Sequence, residues 1–251
     1  DDTRALNVPR GVRWRSAALA ALIAVGLCVR AAGFSDALVA FHSTRQFHCA
    51  LIARALYFGW TRVPDDPARQ SAEQASARRG ELEPPVVQAL AAGTYRVLGR
   101  EHLGVPRVMG SLFWAAGALL LYALAGRLLE SELALLAPAY FLLVPFGVVA
   151  SQSFQPDPLM VALMLASWLA IVQLDQRPST RAALLAGLLS GAAVLIKPVC
   201  AFQIAALYVG LWARGLPRSV RSRRARDPRS HWLRTGWRAL NERGPLDRKS
   251  G

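Results

Sequence analysis

Long apolar segments without charge recur along the chain and alternate with polar stretches. A helix that crosses a bilayer core about 30 Å thick needs about 20 apolar residues, because its peptide groups must be hydrogen-bonded within the helix. Such segments occupy residues 16–29, which extend toward Ala40, and residues 108–126, 133–156 and 158–174. The pattern predicts an all-α fold, a polytopic membrane helical bundle.

The last apolar segment, residues 182–213, is interrupted by Lys197 and Pro198. One continuous helix over this segment would be about 48 Å long, which exceeds one ordinary span. We therefore expect two short spans that meet at Lys197, which makes about six spans in all. Residues 16–29 also have the basic start and short apolar run of a cleaved signal peptide, but the spans that follow favour an anchor.

Arginines beside the short loops predict the orientation, since cytoplasmic loops carry an excess of Lys and Arg. Basic residues precede the first span, separate spans two and three, separate spans four and five, and follow the sixth. We expect both termini to be cytoplasmic. The predicted organisation is a basic N-terminus (1–15), a membrane domain (16–215) with an external loop (41–107), and a basic, disordered tail (216–251).

Two parts of the external loop repeat apolar residues at helical spacing. The first repeat is Phe47, Leu51, Ala55 and Phe58, and the second is Val86, Leu90 and Val97. This pattern predicts two amphipathic helices that lie in the membrane interface. The polar residues 64–80 between them predict a mobile loop.

Composition agrees with a membrane protein, since 53% of the residues are hydrophobic and the mean hydropathy is +0.27. The formal net charge of +14 is concentrated in the tail, where the residues from Arg214 onward include 12 basic and 3 acidic side chains. Arginines of this kind can bind anionic lipid headgroups. The tail has no cysteine and histidine spacing typical of a zinc finger and no RNP motif, so we expect no nucleic-acid partner. Three widely spaced cysteines predict neither a disulfide framework nor a metal site.

Polar residues that bear chemistry concentrate on the predicted external face. On a helix, His42, Arg45 and Gln46 share one face, and a guanidinium beside amide and imidazole groups suits a phosphate. A lipid headgroup is the alternative ligand. Glu83 lies directly before two prolines, where its carboxylate could act as a general base or compensate the charge of a helix N-terminus.

Three more ionisable residues lie at the same predicted side, at the ends of spans: Arg107, Asp157 and Lys197. Placing a charge at the centre of a membrane helix costs about 2.5 to 3.5 kcal/mol on insertion scales. Several charges that converge near one membrane surface therefore indicate a functional site.

The order of these features resembles the N-terminal half of the GT-C membrane glycosyltransferases. That group includes protein O-mannosyltransferases, aminoarabinose transferases and Rgt-type bacterial sugar transferases. The similar landmarks, in chain order, are residues 44–54 (ThrArgGlnPhe to AlaLeuIleAlaArg), 83–85 (GluProPro), 104–111 (GlyValProArgValMetGlySer), 151–159 (SerGlnSerPheGlnProAspProLeu) and a glycine-rich span, with Gly187 and Gly191, that ends at Lys197.

The resemblance implies an integral enzyme, here expected in the bacterial plasma (inner) membrane. Such an enzyme transfers a sugar, with inversion, from a polyprenyl-phosphate donor to an external glycan, lipid or protein acceptor. It implies no metal and no other cofactor, and its partners are membrane lipids and the lipid-linked sugar. The expected phosphate-binding residues are Arg45, Gln46, Arg107 and Lys197, with Asp157 nearby. Gly187 and Gly191 are expected to allow close helix packing.

Two features depart from the family pattern. Many members carry a catalytic acid in the first-loop helix, where this chain has His42 and Ser43, so Glu83, Asp36 and His42 are the candidate catalytic residues. The chain also resembles only half of such an enzyme, so an inactive fragment is one alternative. Its arginine-rich tail fits either a truncated cytoplasmic loop or out-of-frame sequence. The alternative is a non-enzymatic polytopic membrane protein, such as a transporter component or an assembly factor.

Overall fold

The computed structural model describes residues 10–34, 41–61, 83–130 and 132–215, with a few residues between 67 and 74. Every regular element in these ranges is helical, which confirms the all-α prediction. A 3₁₀ turn, Leu133–Leu135, precedes α5, and another, Pro198–Cys200, precedes α9. The α-helices are α1 (Arg10–Ala31), α2 (Ser43–Thr61), α3 (Val86–Leu98), α4 (Gly104–Ala125), α5 (Leu136–Leu143), α6 (Pro145–Ser151), α7 (Asp157–Gln176), α8 (Thr180–Ile196) and α9 (Ala201–Gly215).

The six apolar segments that predict spans are all helical, but they differ in length. Three are long and apolar enough to cross a membrane: Trp14–Ala31 within α1, then α4 and α7. The bent pair of α5 and α6, whose axes meet at 59°, makes a fourth if it crosses as one broken span. Helices α8 and α9 are shorter. The 17 residues of α8 extend about 26 Å, at the lower limit for a span.

The predicted division at Lys197 is confirmed. Helix α8 ends at Ile196, and Lys197 has an extended backbone (φ −157°, ψ 110°). The next residue is Pro198, whose ring disfavours the α conformation in the residue before it. The apolar segment therefore forms two helices, with a charged residue at the junction.

The break between α5 and α6 follows from Pro145. Val144, the residue before it, is extended (φ −59°, ψ 129°), and Pro145 has no N–H to offer the carbonyl of Phe141. The indole Nε1 of Trp114 on α4 donates to that carbonyl instead, at 2.9 Å. The Trp114 and Phe141 rings also stack, with their centroids 4.4 Å apart. Helix α4 thus satisfies a backbone group that the break exposes.

Close helix packing occurs at Gly110 and not at the glycines that the sequence pattern favours. A Cβ at Gly110 on α4 would overlap the carbonyl oxygen of Ser151 at the end of α6. Around Gly187 and Gly191 on α8, the described part of the chain places no atom within 4 Å of a built Cβ. The expectation that these two glycines mediate close packing is therefore wrong, because their faces of α8 are open.

Helices α2 and α3 pack against each other around a small core. It contains Cys49 and Ala53 of α2, Val87, Ala91 and Tyr95 of α3, and Phe154 from the turn before α7. The predicted apolar stripes lie elsewhere, with Phe47 46% and Val97 88% exposed. Both predicted helices are confirmed. Their apolar stripes face away from the protein core, and the prediction that these stripes lie in the membrane interface stays a prediction.

The chain forms two compact units, residues 1–205 and 206–251. The described part of the second unit is the end of α9, residues 206–215. The predicted tail (216–251), residues 1–9 and most of the predicted loop at 64–80 lie outside the described residues. The expected domain boundaries stay predictions.

Candidate functional site

Helix α2, the start of α3 and the turn before α7 enclose a pocket of about 290 Å³. A volume at the low end of the range for ligand pockets suits a polar head group better than a whole lipid. Its lining residues are Thr44, Arg45, His48, Cys49, Ile52, Glu83, Gln88 and Pro156.

Two of the predicted site residues meet in this pocket. The guanidinium of Arg45 donates to Glu83 Oε1 at 3.0 Å, and the two side chains are 41% and 17% exposed. Pro84 and Pro85 follow Glu83 and lead into α3, which starts at Val86. The Arg45 side chain is therefore partly open to solvent, whereas Glu83 is mostly covered, and both groups line the pocket.

A second ion pair lies next to the pocket. Lys197 Nζ donates to Asp157 Oδ1 at 2.7 Å. Asp157 is the first residue of α7 and follows the pocket-lining Pro156. Its other oxygen, Oδ2, is buried and has no hydrogen-bond partner among the described residues. The helix N-terminus and Lys197 together stabilise a negative charge on Asp157.

Gln46 fixes the turn that carries Asp157. Its Oε1 accepts from the backbone N–H of Phe154 at 3.1 Å, and its Nε2 donates to the carbonyl of Phe41 at 2.9 Å. The Gln46 side chain is buried and is absent from the pocket lining. The Gln46 side chain therefore links α2 to the turn before α7 through hydrogen bonds to the backbone.

Arg107 and His42 lie at the same end of the bundle but do not line the pocket. The buried Arg107 donates to the carbonyl of Gly33 at 2.7 Å, which joins α4 to the chain after α1. His42 is exposed and has a left-handed backbone (φ 56°), with its ring 4.7 Å from that of Phe41. Asp36, the remaining candidate, lies outside the described residues.

Arg30, which directly follows the apolar segment 16–29, is a buried charge that the sequence pattern does not single out. Its side chain is fully buried at the end of α1. It donates to Ser151 Oγ at 2.7 Å and to the carbonyls of Gly26 and Leu142 at 2.8 and 2.9 Å. Because Leu142 is 112 residues away, no local pattern could have revealed this contact.

Gln88 and His48 are pocket residues that sequence reasoning also missed. Gln88 is 5% exposed, and its Nε2 donates to Cys49 Sγ at 3.2 Å. Gln88 Oε1 and His48 Nε2 are buried without hydrogen-bond partners in the described part of the chain. Leaving a buried polar group unsatisfied costs about 1 to 3 kcal/mol, so these atoms mark the pocket wall as a place for a polar ligand.

The thiol of Cys49 reports the electrostatics of the pocket. Burial raises the pKa of Cys49 to about 11, and the charges of Glu83 and Asp157 act in the same direction. The hydrogen bond from Gln88 and the charge of Arg45 oppose the rise in this pKa. The thiol is therefore neutral near pH 7 and is a poor nucleophile. Both carboxylates thus contribute to the potential inside the pocket.

A helical bundle with helices long and apolar enough to span a membrane is the architecture of an integral membrane protein, and its candidate site is the charged pocket at one end. The family model for dolichyl-phosphate-mannose-protein mannosyltransferase matches residues 82–225, more than half of the 251 residues. The chain belongs to this family, which consists of membrane glycosyltransferases of the GT-C type. Neither the curated proteins nor the solved structures contain a match to it.

The matched range contains most of the charged residues described above. These are Glu83, Arg107, Asp157 and Lys197, and the uncharged pocket residue Gln88 also lies within the range. Arg45 lies before it, so its place in the site comes from the ion pair with Glu83.

Proposed function

We propose that this chain forms the transfer site of a glycosyltransferase that moves a sugar from a polyprenyl-phosphate donor to an external glycan, lipid or protein acceptor. One observation carries the proposal: Arg45 and Glu83 meet at 3.0 Å in the wall of a pocket at one end of the bundle. Such a transfer needs a cation for the leaving phosphate and a base for the acceptor hydroxyl. This pocket provides one group of each kind.

The proposed reaction is a single displacement at the anomeric carbon of the sugar. The acceptor oxygen forms a bond to that carbon while the bond from the carbon to the phosphate oxygen breaks. The electron pair of the broken bond leaves with the polyprenyl phosphate, and the proton of the acceptor hydroxyl passes to a base. Attack from the side opposite the phosphate inverts the configuration.

Glu83 is the strongest of the three candidate bases. It lines the pocket, whereas His42 lies outside its lining, and nothing in the described structure bears on Asp36. A positioned general base contributes about 10²- to 10⁴-fold to a rate. The hydrogen bond from Arg45 holds the Glu83 carboxylate in place before substrate binds.

Arg45 is the proposed ligand for the donor phosphate. A guanidinium can donate to a phosphate through two parallel hydrogen bonds, which stabilises the charge that develops on the leaving group. Lys197, held 2.7 Å from Asp157 beside the pocket, is a second cation for the same phosphate. Arg107 and Gln46 contribute by holding α4 and the turn before α7, because their side chains bind backbone groups.

The proposal places the head of the donor in the pocket and its lipid tail in the surrounding membrane, and the pocket volume of about 290 Å³ supports this placement. The proposed location is the bacterial inner membrane, with the pocket external and both termini cytoplasmic. The proposed partners are membrane lipids, the lipid-linked sugar and the acceptor. Neither a nucleic acid nor a metal or other cofactor enters the proposal.

The proposal is tested with the full chain, purified in detergent and supplied with polyprenyl-phosphate mannose labelled in the sugar. Release of polyprenyl phosphate and transfer of label are both measured. We expect Glu83→Gln to lower kcat by about 10²- to 10⁴-fold and Arg45→Gln to lower it by about 10²-fold, because one removes the base and the other the cation.

The matched control is the ion pair between Arg54 and Glu101. Arg54 Nε lies 2.8 Å from Glu101 Oε2, and neither residue lines the candidate pocket. Arg54→Gln and Glu101→Gln should leave kcat within about threefold of the parent. A Glu83→Gln chain that transfers label as fast as the parent contradicts the assignment of the base.

A second candidate function is a non-enzymatic polytopic membrane protein, such as a transporter component or an assembly factor. The observation in its favour is that α2 contains no acidic residue, although the family resemblance implies one there. A folded parent chain that releases no polyprenyl phosphate from any lipid-linked sugar would favour this function.

A further inference from the structure

The side chain of Gln88 is poorly satisfied in a pocket where it is almost fully buried. Among the described residues, its one hydrogen bond is to the Cys49 thiol, and a thiol is a weak acceptor. Exchanging the oxygen and nitrogen of the amide would pair the oxygen with the thiol and leave the nitrogen buried instead. In either orientation, one polar atom of Gln88 needs a partner that the described chain does not supply.

His48 has the same property on the neighbouring part of the wall. It lines the pocket three residues after Arg45, on the same face of α2. Its Nε2 is buried and has no partner among the described residues. An amide and an imidazole in one small pocket can together donate to and accept from a group that does both, and a hydroxyl is such a group.

The charges in the pocket further restrict the chemical class of ligand that it can bind. Arg45 and Glu83 already form an ion pair, and the remaining polar side chains of the lining are Thr44, His48, Cys49 and Gln88. A charged group placed against Gln88 and His48 would have no oppositely charged side chain beside it, and an unpaired buried charge is costly. This part of the wall therefore suits an uncharged group with several hydroxyls, whereas the guanidinium of Arg45 can receive a charged group.

We infer that Gln88 and His48 form a subsite that hydrogen-bonds ring hydroxyls of the transferred sugar, while Arg45 binds the phosphate of the same ligand. This inference rests on the proposed function for the identity of the ligand. It adds two residues that determine which sugar is held. A site built to hydrogen-bond a hydroxyl rejects a ligand without it, because its own polar groups are then left unpaired.

The test measures binding without turnover, through protection of Cys49 from alkylation at pH 9. At this pH a thiol with a pKa of about 11 is about 1% ionised, so a small alkylating reagent modifies it slowly enough for protection to be followed over time. Cys49 lies in the pocket wall and falls in the tryptic peptide 46–54, between Arg45 and Arg54, so mass spectrometry can follow it in the full chain with its natural cysteines. The probes are the mannosyl and glucosyl phosphates of a ten-carbon isoprenyl alcohol. The same isoprenyl phosphate without a sugar serves as the reference ligand.

For the parent chain, we expect at least one sugar form to protect Cys49 at a concentration about tenfold below that of the sugar-free phosphate. In Gln88→Met this advantage should disappear, while protection by the sugar-free phosphate should change less than threefold, because Arg45 is intact. His48→Phe keeps the ring and should also lower the advantage, which provides a second variant if Gln88→Met does not fold. Gln176→Met, at the exposed end of α7, is the control and should behave as the parent.

Two results would overturn the inference. One is a parent chain for which neither sugar form protects better than the sugar-free phosphate. The other is a sugar advantage that persists in folded Gln88→Met and His48→Phe chains. Failure of the proposed function gives a different result. If a sugar form protects Cys49 in a way that depends on Gln88, but the chain releases no polyprenyl phosphate, then the sugar subsite is supported and the transfer reaction is not.

Discussion

At the scale of single residues, Arg30 shows how a buried charge can hold a broken membrane helix. The break before Pro145 removes helical donors from nearby carbonyls, which must find partners where water is scarce. Arg30 supplies donors to the carbonyl of Leu142 and to the hydroxyl of Ser151, on either side of the break. The guanidinium thus sets the angle between α5 and α6 and the start of the turn that leads to Asp157.

Replacing Arg30 by Met tests this role in stability. The change leaves the carbonyl of Leu142 without this donor, at about 1 to 3 kcal/mol for an unsatisfied group. The hydroxyl of Ser151 also loses a donor, but it still donates to the carbonyl of Val148 at 2.9 Å. The change also removes a charge that is costly to bury, so we expect a net loss of about 2 kcal/mol in the free energy of unfolding. Equilibrium unfolding in mixed micelles with increasing denaturing detergent measures this loss.

The control for Arg30→Met is Arg127→Met. Arg127 is exposed and donates to Gln176 at 3.0 Å, at the other end of the bundle. This variant should unfold within about 0.5 kcal/mol of the parent. Equal stability of the Arg30→Met and parent chains would show that the guanidinium does not hold the break.

At the scale of elements, a close approach between α4 and the end of α6 depends on one glycine. The hydrogen atom in place of a side chain at Gly110 lets α4 lie directly against the backbone of Ser151 at the end of α6. This contact places the start of α4 and the turn after α6 side by side. The candidate pocket therefore depends on a position that carries no chemistry of its own.

Gly110→Ala should be strongly destabilising, because a Cβ there meets backbone that cannot move aside like a flexible side chain. We expect a loss of about 2 to 3 kcal/mol in the free energy of unfolding. Gly187→Ala is the matched control and should be neutral or stabilising by about 0.5 to 1 kcal/mol, since alanine favours a helix and the site is open. Thermal unfolding of both variants in one detergent gives the comparison, and equal melting temperatures would be contrary to this packing.

The apolar segments and their breaks could be predicted from the sequence because both are local properties. A run of apolar residues predicts a buried or membrane helix, and Pro198 predicts that α8 ends before it. The glycines show the limit of such reasoning. The spacing of Gly187 and Gly191 matches a packing motif, but a spacing does not say which face of a helix has a neighbour.

The candidate site could be predicted only in part. The predicted external loop places Arg45 and Glu83 on one side of the membrane, and the structure joins them although they are 38 residues apart. Gln46 and Arg107 bind backbone groups of Phe154 and Gly33, contacts that no local pattern predicts, and their expected phosphate-binding role stays a prediction. Gln88 and His48 look ordinary in the sequence, and only the folded chain leaves their polar atoms without partners.

At the scale of the first compact unit, residues 1–205, the charged residues lie at two opposite ends of the helical bundle. Contacts of Arg107 with Gly33, of Arg30 with Ser151 and of Lys197 with Asp157 bring the ends of α1, α6 and α8 to the starts of α4 and α7. The hydrogen bond from Arg127 to Gln176 marks the other end, where α4 and α7 finish. The distribution of arginines predicts that this other end is cytoplasmic and that the pocket end is external.

The most direct test is the sidedness of three single-cysteine variants in right-side-out vesicles, in a background where Cys28, Cys49 and Cys200 are replaced by serine. Thr44→Cys at the pocket and Lys197→Cys at the second ion pair should react with a membrane-impermeant maleimide in intact vesicles. Arg177→Cys, after α7, should react only once the vesicles are permeabilised. If Thr44→Cys and Lys197→Cys react from opposite sides of the membrane, the two ion pairs do not share an external site and the proposed transfer reaction loses its structural basis.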